Sequence, residues 1–425
     1  MNPETDLMIS EAPTPDHSTT TRFQRSFLRL FHDRNFSLLF AGQIISQIGD
    51  SMYTIALLWL LLEFTGSKST MGFVTMISYL PMLVFGLFAG VLVDMFNRRR
   101  LMMLADILRA LLVLILPVAY FTGNLSLAII LVVSFLVSSF STLFNPARDA
   151  LVPSLVDRGQ LIKANSLIQS TTYAAILLGP AVGAALIDFV GLAHLFTLDA
   201  LTFVASLAAI GSIKHPTGER AASEGSSLLQ HFKEILRLVH SDKRLRFLLG
   251  LTAVNNFFIM GPAIIGTPIF IKEVLNEGAA SYAIIEACLG LGMVAGVFIV
   301  NFLSRYLGKG KILLLGLVFD GVTYALVYWC NSLELLMLLI VLHAIGIPHI
   351  VIARTTLVQE WMPTALLGRV LSLVNMSVIG MTALTTGATG WLAEVIPINL
   401  LFGVFGTAGM LCGFVGWLYK PLRNA

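Results

Sequence analysis

The sequence predicts an all-α integral membrane protein with twelve transmembrane helices. Three observations carry that class. The 425-residue chain is 56% hydrophobic and only 12% charged, whereas soluble domains carry about twice that charged fraction. Its apolar residues fall into repeated runs of about 20, each enough to cross the hydrocarbon core as a helix. Its basic residues collect in alternate loops, which is the signal that sets topology. Arg98 to Arg100, Arg148, Arg158, Lys163, Arg305, Lys309, Lys311, Arg354, Arg369, Lys420 and Arg423 fall on one side. The other side holds only Lys68 and Lys272. An odd number of spans would scramble this alternation. Both termini are therefore expected on the cytoplasmic side of a cell membrane.

The elements follow in order. Residues 1–35 read as a cytoplasmic tail with no apolar core of a signal peptide. Its end places Arg22, Arg25, Arg29 and Arg34 among Phe23, Phe27, Leu28, Leu30 and Phe31, the pattern of an amphipathic helix on the inner membrane surface. Residues 36–213 form a first bundle, with spans over 36–62, 70–93, 101–121, 125–144, 161–189 and 192–213. Residues 214–246 are a linker. It begins loop-like, then sets Leu228, Leu229, Phe232, Ile235, Leu236 and Val239 at helical spacing. Residues 247–420 form a second bundle, with spans over 247–270, 282–303, 312–329, 333–353, 367–393 and 398–419, and residues 421–425 are a tail. The halves read as repeats. Gly42 and Gln47 match Gly250 and Asn255 in spacing, and Pro153 and Asn165 match Pro363 and Asn375. Two pseudo-symmetric six-helix bundles are expected.

Two stretches carry more specific patterns. Gly90, Leu92 and Asp94 precede the cluster Arg98, Arg99 and Arg100 between spans 2 and 3. This stretch resembles the signature loop of the major facilitator superfamily, with Met95 where Arg is frequent and Asn97 where Gly is frequent. Asn tolerates the left-handed conformation, so a left-handed turn is expected at Asn97. The plainer reading is a basic loop that obeys the positive-inside rule. In span 5, Gly179-Pro180-Ala181-Val182-Gly183-Ala184 resembles the antiporter motif of drug exporters, with Ala184 in place of the last Gly. Its plainer reading is a packing kink. Further stretches extend the likeness: Ser46 to Asp50, Thr65 to Ser67, Asp106 and Arg109, Phe144 to Ala147, Leu161 to Leu167, and Gly368 to Val370. Together they resemble the macrolide-efflux and enterobactin-exporter branch of drug:proton antiporters, over residues 36–419.

That resemblance implies a major facilitator fold and a secondary active transporter that works by alternating access. It implies a conformational switch at Gly90, Asp94, Arg98, Arg99, Asp106, Arg109 and Arg369, in which Asp94 holds the inner gate shut through Arg98 and the start of span 11. Asp106 and Arg109, three residues apart on one helix face, tie span 3 to its neighbours below the cavity. Ionisable residues inside the membrane are costly unless paired or hydrated, so they mark function. Asp50, near the middle of span 1, is the first candidate for proton coupling. Glu286 is second and Asp320 third, since span 9 packs outside the cavity in this fold. His343 and His349 are read as packed, neutral side chains, and Asp199 as a helix-start residue. Spans 1, 4, 7 and 10 line the cavity in this fold, which nominates Gln47, Tyr53, Trp59, Asn255, Asn256, Phe257 and Phe258. An aromatic and amide lining suits bulky amphipathic molecules.

Other classes find no support. No phosphate loop, nucleophile elbow or metal-ligand spacing is present. Cys288, Cys330 and Cys412 are odd in number and lie in or beside apolar runs. The net charge of +3 does not point to nucleic acid. A membrane enzyme and a non-transporting receptor are the readings from other classes. The expected protein is a lipid-embedded monomer that exports small molecules, without a bound cofactor and with the proton gradient as energy source. An exporter of an endogenous siderophore or lipid-like metabolite is the alternative.

Overall fold

The structure, a computed structural model, describes residues 29–157, 160–214, 241–362 and 364–425. Among the described residues twelve helices are long and apolar enough to cross a membrane, and no strand occurs. They are α1 Arg34–Thr65, α2 Lys68–Met95, α3 Arg98–Phe121, α4 Leu127–Leu151, α5 Leu161–Val190 and α6 Leu192–Gly211. The second half comprises α7 Lys243–Gly261, α8 Ala279–Leu303, α9 Lys309–Leu326, α10 Leu333–Trp361, α11 Thr364–Val395 and α12 Ile398–Leu418. Helices are the only open way to satisfy every backbone group in hydrocarbon. Their ends are held by side chains that take the orphan N–H groups. Asp33 caps α1 through the N–H of Asn35 and Phe36, Ser126 caps α4, and Ser332 caps α10.

Several boundaries differ from the sequence reading. Asn97 is not left-handed. Its φ of −67° and ψ of 115° are extended, and its side chain accepts from Arg100 N–H as the N-cap of α3. The turn needs a cap there, not the freedom of glycine. Helix α4 runs past Asn145 and through Pro146 to Leu151, because a buried membrane helix tolerates Pro when neighbours satisfy the freed carbonyl. Helix α10 continues to Trp361, beyond the apolar run, and α7 extends through a π-helical segment Pro262–Gly266 and a short helix Thr267–Glu273. Most of the linker, residues 215–240, and the N-terminal residues 1–28 lie outside the described residues.

The two halves meet at the face opposite the termini. There a single apolar core joins α1 residues such as Ile55, Leu58 and Leu61 to Ile265, Ile269, Phe270 and Tyr282 of the second half. Toward the terminal face the core splits in two, one around Phe36, Met102 and Phe144, the other around Leu248, Leu313 and Leu357. Polar contacts lace the closed face. Lys68 Nζ lies 2.6 Å from Glu273 and donates to the Ala393 carbonyl, Ser67 Oγ and Ser69 N–H donate to Glu394, and Lys272 Nζ donates to the Leu62 carbonyl. The two lysines that stood apart in the charge pattern therefore bridge the halves. Glu273 is 41% exposed, and such pairs are worth at most about 1 kcal/mol. The apolar core does most of the holding. On α2, Lys68, Gly72 and Leu83 lie beside Gly390 and Gly380 of α11. Among the described residues the core is continuous at the far face and in two parts at the terminal face.

Glycines set the closest crossing. A Cβ at Gly72 would lie 2.9 Å from Gly390 Cα and 2.5 Å from the Thr386 carbonyl, so backbone would have to move. Gly72→Val is expected to wedge α2 from α11 and open the far face. Leu62 is 2% exposed there. In a variant lacking the native cysteines, Leu62→Cys should react faster with an aqueous maleimide once Gly72→Val is added. Equal labelling rates would contradict the wedge.

Candidate functional site

Two polar clusters lie at membrane depth among the described residues, one in each half. The first is built by three helices. Asp50 lies midway along α1, Asp106 and Arg109 share a face of α3, and Asp199 projects from α6. Arg109 pairs with Asp106, and its Nη1 lies 3.8 Å from Asp50 Oδ2. The guanidinium also sits over the rings of Phe144 and Phe203, at 4.7 and 4.2 Å from their centroids. Those rings exclude water and add cation–π attraction. Gly49 admits Asp199: a Cβ there would lie 2.5 Å from Asp199 Oδ1. Asp199 is well inside α6, fully buried, with Oδ2 unpartnered. Its reading as a helix-start residue is corrected, and an acid inside the run Leu198 to Val204 was the available signal. The side chains of Asp106 and Arg109 are 0% and 3% accessible, whereas Asp50 keeps 42%. Asp50 is the one exposed member of this otherwise sealed group.

The second cluster lies in the other half. His343 Nδ1 on α10 is 3.2 Å from Asp320 Oδ1 and 3.2 Å from Thr323 Oγ1, both on α9. The Tyr324 ring packs on the imidazole at 3.9 Å and on Phe402 at 5.4 Å. Asp320 and His343 are 5% and 2% accessible, so the pair is sealed. Glu286 is half-buried and accepts from the Tyr282 hydroxyl. Tyr282 stacks on Trp59 of α1, 6.2 Å between centroids. Trp59 therefore plugs the seam between halves in this conformation and is 4% exposed. It does not line an open cavity here.

The other cavity candidates are engaged in packing to different degrees. The Gln47 amide bonds Thr171 and Thr172, which ties α1 to α5. Tyr53 reaches Ser134 of α4 through its hydroxyl, 3.3 Å away. Asn256 donates to the Val378 carbonyl and Thr382 Oγ1, both at 3.0 Å on α11. Asn255 is buried with Nδ2 unpartnered. Phe257 and Phe258 pack edge to face and both meet Phe405 of α12, half-buried. A separate pocket of about 220 Å³ lies between α5, α8 and α10, walled by Ile176, Met293, Val297 and Pro348, with Phe298 exposed at its edge. Among the described residues no three His, Cys, Asp or Glu side chains converge as metal ligands do.

The antiporter-like stretch is a helix crossing. Gly179 lets α5 approach α1: a Cβ there would lie 2.7 Å from Ser51 Oγ and 3.1 Å from the Ile48 carbonyl. Pro180 is buried inside α5, and Gly183 makes only ordinary contact with Met52. At the terminal face, Arg98 donates to the Ala150 carbonyl (2.9 Å) at the end of α4. Arg99 donates to the carbonyls of Ile210 and Gly211 at the end of α6. Cations at helix C-termini satisfy orphan carbonyls and the helix dipole together. Gly90 and Asp94 lie in α2 and Arg369 in α11, and the surroundings of these three, the remaining parts of the expected switch, are outside what the structure describes.

Comparison with known proteins now bears on this arrangement. The profile of the transmembrane secretion effector family, within the major facilitator superfamily, matches residues 26–424. Macrolide efflux protein A of Streptococcus pyogenes is 25% identical over 394 residues, covering 92% of this chain and 96% of that protein. The multidrug efflux pump Tap of Mycolicibacterium fortuitum is 25% identical over 395 residues, covering 91% and 96%. Among solved structures, a bacterial homologue of the iron transporter ferroportin in its inward-facing state superposes with a TM-score of 0.75 at 16% identity. That match covers 92% of this chain and 99% of the homologue, and likens the fold alone.

Proposed function

Because the chain belongs to the transmembrane secretion effector family of the major facilitator superfamily, we propose that it exports bulky amphipathic compounds, macrolide-like drugs among them, in exchange for protons. The chain is a multi-pass membrane transporter of small molecules and not an enzyme. The names of its efflux relatives support drug export. The basic loops support a terminal face that is cytoplasmic, and a core that is in two parts there among the described residues supports an inward-open state of alternating access. The carrier works as a monomer in this reading.

The observation that carries proton coupling is Asp50, the one accessible carboxyl of the Arg109 cluster. Three carboxyls surround one guanidinium, and charge balances with one of them ionised. A proton gained or lost at Asp50 then changes the net charge of the whole cluster. With Asp50 neutral, the empty carrier reorients inward without moving a bare charge through hydrocarbon. Proton release to the cytoplasm leaves an anion that favours a cationic or hydrogen-bonding substrate. Proton and substrate thus exclude each other, the minimal condition for antiport. Phe257 and Phe258 offer apolar surface for the rest of such a molecule. Glu286 and Asp320 rank behind Asp50, the first because it is held at the seam and the second because it is sealed. The inner lock of Asp94 with Arg369 remains part of the proposal.

Purified protein in liposomes with an imposed pH gradient tests this reading, with radiolabelled erythromycin as probe. Accumulation that collapses when a protonophore is added is the expected result. Erythromycin movement indifferent to the gradient would overturn proton coupling.

A further inference from the structure

Among the described residues a buried cation of the second half has no counterion. Arg354 on α10 is 9% exposed, its Nε has no hydrogen-bond partner, and no described carboxylate pairs with it. An ionisable side chain left alone at such depth is costly and marks function. The matching site in the first half is provided for. Helices α4 and α10 are the fourth of their halves, and each starts from a serine N-cap, Ser126 and Ser332. Counted from these caps, Arg148 and Arg354 occupy the same position, about 33 Å along each helix and so near the terminal face. Arg148 pairs with the next residue: its Nε and Nη2 lie 2.8 and 2.7 Å from Asp149 Oδ1. After Arg354 stands Thr355, whose hydroxyl donates to the Val351 carbonyl of its own helix. The second half carries the cation without the acid.

Asp149 has capacity to spare. Its side chain is 63% exposed. Both bonds from Arg148 go to Oδ1, so Oδ2 keeps its lone pairs. A carboxylate can accept two guanidiniums at once. The two sites belong to different parts of the core. Phe144, Ala147 and Leu151 of α4 lie in one part, and Ala353, Leu357 and Val358 of α10 lie in the other. A closure of the terminal face that keeps the symmetry of the halves brings equal positions of α4 and α10 toward each other. Arg148 and Arg354 then approach as like charges unless an anion lies between them.

We propose that Asp149 is that anion: when the terminal face closes, Oδ2 receives Arg354 while Oδ1 keeps Arg148. The proposal rests on the alternating-access reading above and adds to it a lock between α4 and α10. It explains why Arg354 stands alone in the present conformation, and why the second half needs no acid at position 355.

The full-length protein in liposomes, free of native cysteines and carrying Leu62→Cys, is labelled with an aqueous maleimide. Labelling at the far face reports how often the terminal face shuts. Arg354→Gln should slow it about fivefold, the worth of one ion pair at a wet surface. Asp149→Asn should slow it about tenfold or more, because two guanidiniums then close on each other. Adding Arg354→Gln to Asp149→Asn should speed labelling again, a reversal that a purely structural role for Asp149 in its own half does not produce. Asp149→Glu should stay close to wild type. A double variant no faster than Asp149→Asn would overturn the pairing. So would single variants that label at the wild-type rate while Gly72→Val still raises it, a result that leaves alternating access standing. If Leu62→Cys reacts in no variant, the access reading and the lock fall together. Coupling of Arg354→Gln to Asp94→Asn in place of Asp149→Asn would also overturn the proposal, by giving Arg354 another acid.

Discussion

Arg109→Ala is expected to lower the unfolding free energy by about 3–5 kcal/mol, the usual cost of breaking a buried ion pair from one side. Arg109 is 3% accessible and Asp106 is fully buried, so the substitution strands a carboxyl that no water can reach. It also removes the cation from the faces of Phe144 and Phe203, a loss of about 2 kcal/mol when desolvated. The stranded acid dominates, and that is separable. Arg109→Ala combined with Asp106→Ala should recover a large part of the loss, since no unpaired charge remains. Arg109→Lys should fall between, because a lysine keeps the charge but not the planar fork. Melting of the four proteins in detergent measures this. A double variant no more stable than Arg109→Ala would show that the pair is not the source of the cost.

Asp50→Asn is expected to leave the fold intact and abolish gradient-driven export, reducing accumulation to the passive level. The carboxyl is 42% accessible and its ion pair with Arg109 is long at 3.8 Å. Little stability therefore rests on it. Asparagine has nearly the same shape but no proton to exchange. It stays neutral at every pH, so any residual transport should lose its pH dependence, while substrate binding stays detectable. The matching change at Asp320 gives the contrast. That carboxyl is sealed against His343, so Asp320→Asn should affect melting more than coupling. If Asp50→Asn still accumulates erythromycin against its gradient with normal pH dependence, Asp50 is not the coupling site.

These two residues mark how far the sequence could be read. The acid in α1 and the Asp106–Arg109 spacing were visible as single features, and each invited its own interpretation. Nothing local shows that α1, α3 and α6 bring Asp50, Arg109 and Asp199 together. Glycines behave the same way. Gly42 and Gly250 match in spacing, yet one is packed against Ala209 and the other has open space beside it. Trp59 reads as a cavity residue in the sequence, and in this conformation it is buried against Tyr282.

The sequence alone determined the number of spans and their approximate ends. Hydrocarbon admits only backbone that satisfies itself, and its thickness fixes how long an apolar run must be. Those constraints act along one helix at a time, so they are written in consecutive residues. The tertiary structure decided which face of each helix turns inward, which half-interface is shut, and which charges meet. Spans that are apolar nearly all round carry no stripe to orient them. Their rotation is set by close contacts between helices distant in the chain, such as Gly72 on Gly390 and Gly179 on Ser51.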